Sequence, residues 1–469
     1  MKKILLLLQF LLLLTISKAQ QWSELGTGSN ALNPNGTINS IVTDAAGNIY
    51  AAGEFTDANK KYYVAKWNGT SWSELGTGKN ALNVINNINA IAVDAAGNVY
   101  AAGDFFHIDS TNTGFVTGYD YYVAQWNGTS WNELGNNIEA TTLNANSQIN
   151  CIAVDGSGNV YAAGEFTNSS GYYYVAQWNG SSWSEMGALS YALNANSYIT
   201  SITLDKNENV YVSGWFTDNN SQTYVARWDG TQWGELGTGI YALNPVGGYV
   251  NSLDTDAAGN IYAGGAFTNG NGNYFVSKWN GTYWSELSNA NSLNANNQIN
   301  AITIDPSGNI YAAGEFTDAG NYYYVAKWNG NSWSELSTAT SSLNANSYIN
   351  ALASDTYGNI YATGLFTDAN KKFYVAKWTV DTSMTAIHNP VNKTNISIYP
   401  NPSTGVLYFS EFKENVQLTI YNILGEVIIE REVTVRTNTL DLSTLHSGMY
   451  TLAFNGQNTV YAPVRLVKE

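Results

Sequence analysis

The chain has 469 residues, 44% of them hydrophobic, so it can bury a sizeable core and general disorder is excluded. Only 12% of residues are charged and the net charge is −16; between residues 20 and 380 there are 28 Asp and Glu against 11 Lys and Arg. That field repels phosphate backbones and excludes nucleic acid as a partner, while cations, neutral glycans or plain solubility remain compatible with it.

Residues 1–19 read as a signal peptide. Lys2 and Lys3 open it, a mostly apolar run follows from Ile4 to Leu14, and Ser17 and Ala19 fit the small-residue cleavage rule, leaving Gln20 as the mature start. The run is too short and wrongly flanked for a membrane anchor, and no other approaches the ~20 apolar residues a transmembrane segment needs. The expectation is an exported, soluble protein.

Residues 20–380 are built from a repeat of about fifty residues. One copy reads Ile88-Asn89-Ala90-Ile91-Ala92-Val93-Asp94, then Gly97-Asn98-Val99-Tyr100-Ala101-Ala102-Gly103. Later come Tyr122-Val123-Ala124-Gln125-Trp126, Asn127-Gly128 and Trp131-Asn132-Glu133-Leu134-Gly135. Each copy offers four short β-rich segments, a to d, separated by turn residues. Asp-x-x-Gly-Asn links a to b, and Asn-Gly or Asp-Gly, which readily take positive φ, link c to d. The strand-a aspartate recurs seven times, as Asp44, Asp94, Asp155, Asp205, Asp256, Asp305 and Asp355. The first copy starts with segment d alone, Trp22-Ser23-Glu24-Leu25-Gly26, and the last stops after segment c, Phe373-Tyr374-Val375-Ala376-Lys377-Trp378. One orphan at each end completes one unit. The pattern predicts an all-β, seven-bladed β-propeller of four-stranded blades, closed by the N-terminal strand pairing into the last blade, which removes open sheet edges.

These units resemble the kelch and related bacterial β-propeller repeats over residues 20–380. The likeness rests on a glycine after segment b (Gly53, Gly103, Gly164, Gly214, Gly265, Gly314, Gly364) followed by a Tyr and a Trp; a double glycine occurs only at Gly264-Gly265. A second resemblance covers residues 394–469, after a linker at 381–393. Its motifs are Tyr399-Pro400-Asn401-Pro402-Ser403-Thr404-Gly405, then Leu418 to Gly425, then Ser447-Gly448-Met449-Tyr450, and Val464 to Lys468 at the end. This segment is similar to the C-terminal sorting domain of the type IX secretion system. The resemblance implies recognition by that machinery, passage across the outer membrane of a Gram-negative bacterium, and release or surface attachment. The alternating pattern independently reads as a small β-sandwich.

Chemistry is sparse. The three histidines are His107, His388 and His446, and only His107 falls in the repeats. No metal-ligand spacing, nucleophile elbow or phosphate-cradling glycine loop occurs, so no metal or cofactor is expected. Cys151 is the only cysteine, which rules out an intrachain disulfide. It shares a column with Ser40, Ala90, Ser201, Ser252, Ala301 and Ala351, which reads as small-residue packing.

The candidate ligand contacts lie at the rim where segment a starts and segment b ends. Asn39, Asn89, Asn150, Thr200, Asn251, Asn300 and Asn350 open segment a: either a polar ring at the channel mouth or amides that satisfy the next blade's backbone. Glu54, Asp104, Glu165 and Glu315 share a column at the end of segment b, where Trp215, Ala266 and Leu365 stand in the other blades. These acids either line a ligand or face solvent. Blade 2 carries an insertion over residues 106–120 holding His107, Asp109, Phe115 and Tyr119, and long loops on rigid scaffolds often carry function. The Trp pairs spaced by five, such as Trp67 and Trp72, read as sugar-stacking platforms or as inter-blade packing; Trp215 breaks the pattern.

Three functions remain open from sequence. The first is a non-enzymatic module binding a glycan or surface protein. The second is a secreted carbohydrate-active enzyme using rim carboxylates. The third is an adhesin stabilised by calcium at the Asp-x-x-Gly-Asn turns.

Overall fold

The computed structural model describes residues 20–110, 116–135, 141–187, 189–243, 247–288, 291–380, 396–409, 412, 415–422, 427–434, 439–443, 445–456 and 464–468. The expected signal peptide, the linker at 381–393, Phe115, His388 and Gly425 lie outside these residues. The chain divides into two compact units between residues 384 and 385.

In the first unit the described strands form seven four-stranded antiparallel sheets. Blade 1 is representative, with strands Ile38–Thr43, Ile49–Gly53, Ala65–Trp67 and Trp72–Glu74 running outward in order. The innermost strand of each blade packs against those of both neighbours, and Ile38–Thr43 meets Ile349–Ser354 to complete the circuit. The seventh sheet takes its outer strand from the other end of the chain. Gln21–Glu24 pairs antiparallel with Ala376–Thr379, placing Trp22 opposite Trp378.

Local sequence explains this packing. Strand b is buried along its whole length in every blade, because a neighbouring blade covers each face. A continuous run such as Ile49-Tyr50-Ala51-Ala52-Gly53 suits a strand with two buried faces, and the alanines let neighbours approach closely. The glycine that ends strand b has a steric cause: a Cβ on Gly53 would sit 2.2 Å from the Thr37 carbonyl oxygen. The following phenylalanine, from Phe55 through Phe366, is fully buried in every blade.

The paired tryptophans hold the blades to one another. Each pair packs with ring centroids 5.6–6.0 Å apart, including Trp22 with Trp378 across the closure. The strand-d indole N–H donates to a carbonyl of the preceding blade, as Trp72 does to Leu25 at 2.8 Å. The same bond recurs seven times, and Trp22 to Leu336 at 2.7 Å closes the ring. The alternating readings left open for these pairs thus meet a consistent inter-blade role. Cys151 is buried and burial pushes its thiol up, in keeping with a packing residue.

The second unit has a three-stranded sheet (Ile398–Tyr399, Val406–Phe409, Thr439–Asp441) and a four-stranded sheet (Val427–Val433, Val416–Tyr421, Gly448–Gly456, Val464–Lys468). Both sheets contribute to one core containing Leu407, Phe409, Leu418, Leu440, Leu452 and Leu466. Asn401 fixes the last strand: its Oδ1 accepts from the Val467 amide and its Nδ2 donates to the Arg465 carbonyl, both at 2.8 Å. Tyr399 stacks on Tyr408, the peptide bonds before Pro400 and Pro402 are cis, and the Tyr450 hydroxyl donates to the His446 carbonyl. Gly405 supplies the carbonyl that accepts from the Leu442 amide.

Candidate functional site

The propeller has two rims of different character. At one, the a–b turns share a single hydrogen-bond pattern. The strand-a aspartate accepts two backbone N–H groups on Oδ1 and, on Oδ2, the amide of the turn asparagine and the hydroxyl of the strand-b tyrosine. In blade 6 these are Ser307, Asn309 and Tyr311 around Asp305, at 2.7–2.9 Å. The arrangement repeats around Asp44, Asp94, Asp155, Asp205, Asp256 and Asp355. Four donors occupy each carboxylate. Among the described residues, no cluster of three or more His, Cys, Asp or Glu side chains is disposed to hold a metal.

The opposite rim carries the loops. Its asparagine column sits on a β-bulge between the first and third residues of strand a in every blade. The bulged residue has no partner in its own ladder, so its side chain reaches the neighbouring blade. Asn89, Asn150, Asn251 and Asn300 donate to the strand-a carbonyls of Ile149, Ile199, Ile299 and Ile349 at 3.1–3.4 Å, and Thr200 donates to Val250 at 2.8 Å. Asn39 accepts from the Thr37 hydroxyl, and Asn350 holds the same register in blade 7.

Two further columns are locked side by side. The residue that follows strand b donates its backbone N–H to the carbonyl of the residue before strand a in all seven blades. Glu54, Asp104, Glu165, Trp215, Ala266, Glu315 and Leu365 therefore lie beside Thr37, Asn87, Gln148, Tyr198, Tyr249, Gln298 and Tyr348. Around Trp215 these columns produce a continuous track. Trp215 stacks on Tyr249 of the next blade, with centroids 4.1 Å apart and planes 17° apart. Tyr198 lies 6.1 Å from Trp215 on its own blade and meets Tyr173 of blade 3 edge-on at 5.3 Å.

The Tyr249 hydroxyl donates to Gln298 Oε1 at 3.2 Å, and Gln298 Nε2 donates to Glu315 Oε1 at 2.7 Å. Asn297 donates to the other Glu315 oxygen at 3.4 Å. Tyr323 and Tyr348 meet edge-on at 5.3 Å on blades 6 and 7. Burial and then the Glu315 charge raise the Tyr249 hydroxyl pKa, while burial, Tyr348 and Glu315 raise that of Tyr323. Trp215 remains 46% exposed despite its ring partners. Tyr119, Tyr172, Tyr191, Tyr241 and Tyr322 are also exposed in loops of this rim.

At the other end of the track Asp104 is half-buried; burial raises its carboxyl pKa and a hydrogen bond from Tyr121 opposes that rise. Glu165 lies near enough to Tyr121 and Tyr173 to raise both hydroxyls, after burial and closer groups. Glu54 is exposed. The blade 2 insertion forms a two-stranded ribbon, Phe106–Ser110 with Val116–Tyr121, which sets Asp109 opposite Gly118. His107 turns back onto its own blade. Its ring stacks on Tyr122 at 4.3 Å and its Nε2 is 3.0 Å from Glu133 Oε2, which raises the His107 pKa. Tyr119 packs against Phe106 at 4.5 Å.

Sequence reading singled out Trp215 and Glu315 but missed Tyr198, Tyr249, Gln298 and Tyr348. Their column stands two residues before the bulged asparagine and varies strongly among blades. That variation was the available signal; the contact between Trp215 and the following blade's tyrosine was not written in either repeat.

Residues 397–469 match the family model described as a secretion system C-terminal sorting domain. Among solved structures, the chain is similar to the extracellular domain of the hybrid two component system BT3049 from B. thetaiotaomicron, at 12% identity and a TM-score of 0.50, covering 96% of this chain and 57% of that one. It is similar to PorZ, a bacterial surface component of the type-IX secretion system of Porphyromonas gingivalis, at 13% identity and a TM-score of 0.48, covering 95% and 60%. The WD40 β-propeller domain of Doa1 aligns at 12% identity and a TM-score of 0.48, covering 78% and 98%. The chain thus spans 57–60% of the length of the first two bacterial structures. No curated protein sequence matches it.

Proposed function

From the premise that this chain is a β-propeller carrying a type IX secretion sorting domain, and so a secreted or cell-surface protein, we propose that the propeller is a non-enzymatic glycan-binding module. The ligand lies along the loop rim, on the track from Tyr173 through Trp215 and Tyr249 to Glu315. The observation that carries this reading is the Trp215–Tyr249 stack, exposed to solvent beside a hydrogen-bonded Gln298–Glu315 pair. Rigid aromatic faces with a few oriented polar groups suit the apolar faces and hydroxyls of sugar rings. The supporting hydrogen bonds arise from strand ends, so the platform is preorganised and little side-chain entropy is lost on binding.

The sorting domain addresses the chain to the secretion machinery, with Asn401 tying the opening motif to the terminal strand. The test is a glycan array probed with the secreted protein, followed by measurement of reducing-end release from each glycan bound. Binding without release is expected. Release of reducing ends would replace this reading with a carbohydrate-active enzyme.

A further inference from the structure

The loop rim is electrostatically divided. Its basic residues are Lys60 and Lys61 in blade 1, Lys371 and Lys372 in blade 7, and Lys79 in the connection into blade 2. Every loop of this rim from residue 104 to residue 348 lacks Lys and Arg, whereas the track within it carries Asp104, Glu165 and Glu315. Glu315 is the carboxylate coupled to the aromatic platform: Gln298 bridges it to Tyr249, its charge acts on the Tyr249 hydroxyl, and among the described residues its oxygens accept from the neutral amides of Gln298 and Asn297. The faces of Trp215 and Tyr249 offer negative quadrupole potential on the same side of the ring of blades. A ligand seated there meets negative potential from both the rings and the carboxylate.

Resting on the glycan-binding reading above, we infer that this track selects amino sugars: polymers whose protonated amines sit between the Trp215–Tyr249 platform and Glu315, with uronate and sulfated polymers rejected. The amine gains a charge-assisted partner in Glu315 and a cation–π contact with the stacked rings. An acidic sugar in the same position meets like charge with no cation on the track to offset it.

The experiment is calorimetric titration of the secreted protein at pH 5.5 with three hexasaccharides: β-1,4-linked glucosamine, its N-acetylated counterpart, and a uronate hexamer. The glucosamine hexamer is expected to bind about five- to tenfold tighter than the acetylated one at low salt, with the gap closing in ~0.5 M salt and the uronate failing to bind. Glu315→Gln should shrink the gap severalfold by weakening the glucosamine hexamer more than the acetylated one, whereas Trp215→Ala should weaken both. Equal affinity for the two hexamers, or uptake of the uronate, overturns the inference and leaves glycan binding standing. A gap that survives Glu315→Gln assigns the preference to the protein's overall negative field and also overturns it. Failure of every hexamer to bind overturns the glycan reading, and the inference with it.

Discussion

The two rims of the propeller share one scaffold and differ in how they treat its repetition. At the turn rim, seven aspartates each hold the same asparagine, tyrosine and backbone amides, even in blade 4, where Glu208 takes the position of the usual glycine at φ 63°. At the loop rim, the residue before strand a changes from Thr37 to Tyr249 to Gln298, and its neighbour changes from Glu54 to Trp215 to Leu365. Uniformity marks positions whose chemistry is consumed inside the fold. Variation at equivalent, backbone-locked positions marks side chains free to face a ligand.

That contrast predicts a separation of effects. The largest belongs to the closure. Trp22→Ala removes a buried-face indole packed on Trp378 and its hydrogen bond to Leu336, so denaturant unfolding should show a loss of about 3–5 kcal/mol. An unchanged midpoint would mean that the first strand does not close the ring. At the turn rim, Asp305→Ala strips four hydrogen bonds and leaves the buried Tyr311 hydroxyl without its acceptor. The expected loss is about 2–3 kcal/mol, with glycan affinity preserved.

A smaller effect concerns the blade 2 ribbon. The His107 pKa is raised above 6.5 by the hydrogen bond to Glu133, so the contact's contribution is fully present below that ordinary value and is lost as pH rises through the higher, folded-state value. His107 is about half exposed, which limits the contribution to about 0.5 kcal/mol. Protection factors in the ribbon, corrected for the intrinsic pH dependence of amide exchange, should therefore fall between pH 6 and 8, roughly around the histidine range, and stay level in His107→Gln. The smallest expected effect is none: EDTA should leave the melting temperature unmoved, because the turn aspartates already accept four hydrogen bonds each. A fall on chelation would revive a calcium-stabilised turn rim.

How much of this was readable from the sequence follows the same division. The sheets, the ring closure and the tryptophan pairs were legible because each depends on a pattern repeated seven times, and an orphan segment at each end has only one partner to find. The sorting domain was legible through motifs in fixed order, beginning with Tyr399-Pro400-Asn401-Pro402. The candidate site was legible only in part. Asn89 and its equivalents admitted two readings, a polar ring or amides satisfying the next blade, and the bulge that turns them onto the next blade's carbonyls is a feature of register, which no single column of residues displays. Trp215 stood out because it broke a column. Tyr249 did not, because its column has no consensus to break, and its partnership with Trp215 exists only across the gap between two blades. His107 looked free for ligand because Glu133, twenty-six positions away, is brought to it only by the fold.

The central claim is that the loop rim binds through Trp215 without depending on it for stability. The most direct measurement is the glycan affinity of Trp215→Ala set beside its melting curve. Affinity should fall by at least about tenfold with the melting temperature within ~2 °C of the parent, since the indole is exposed and stacks at the surface. Full affinity in a well-folded Trp215→Ala protein would contradict it.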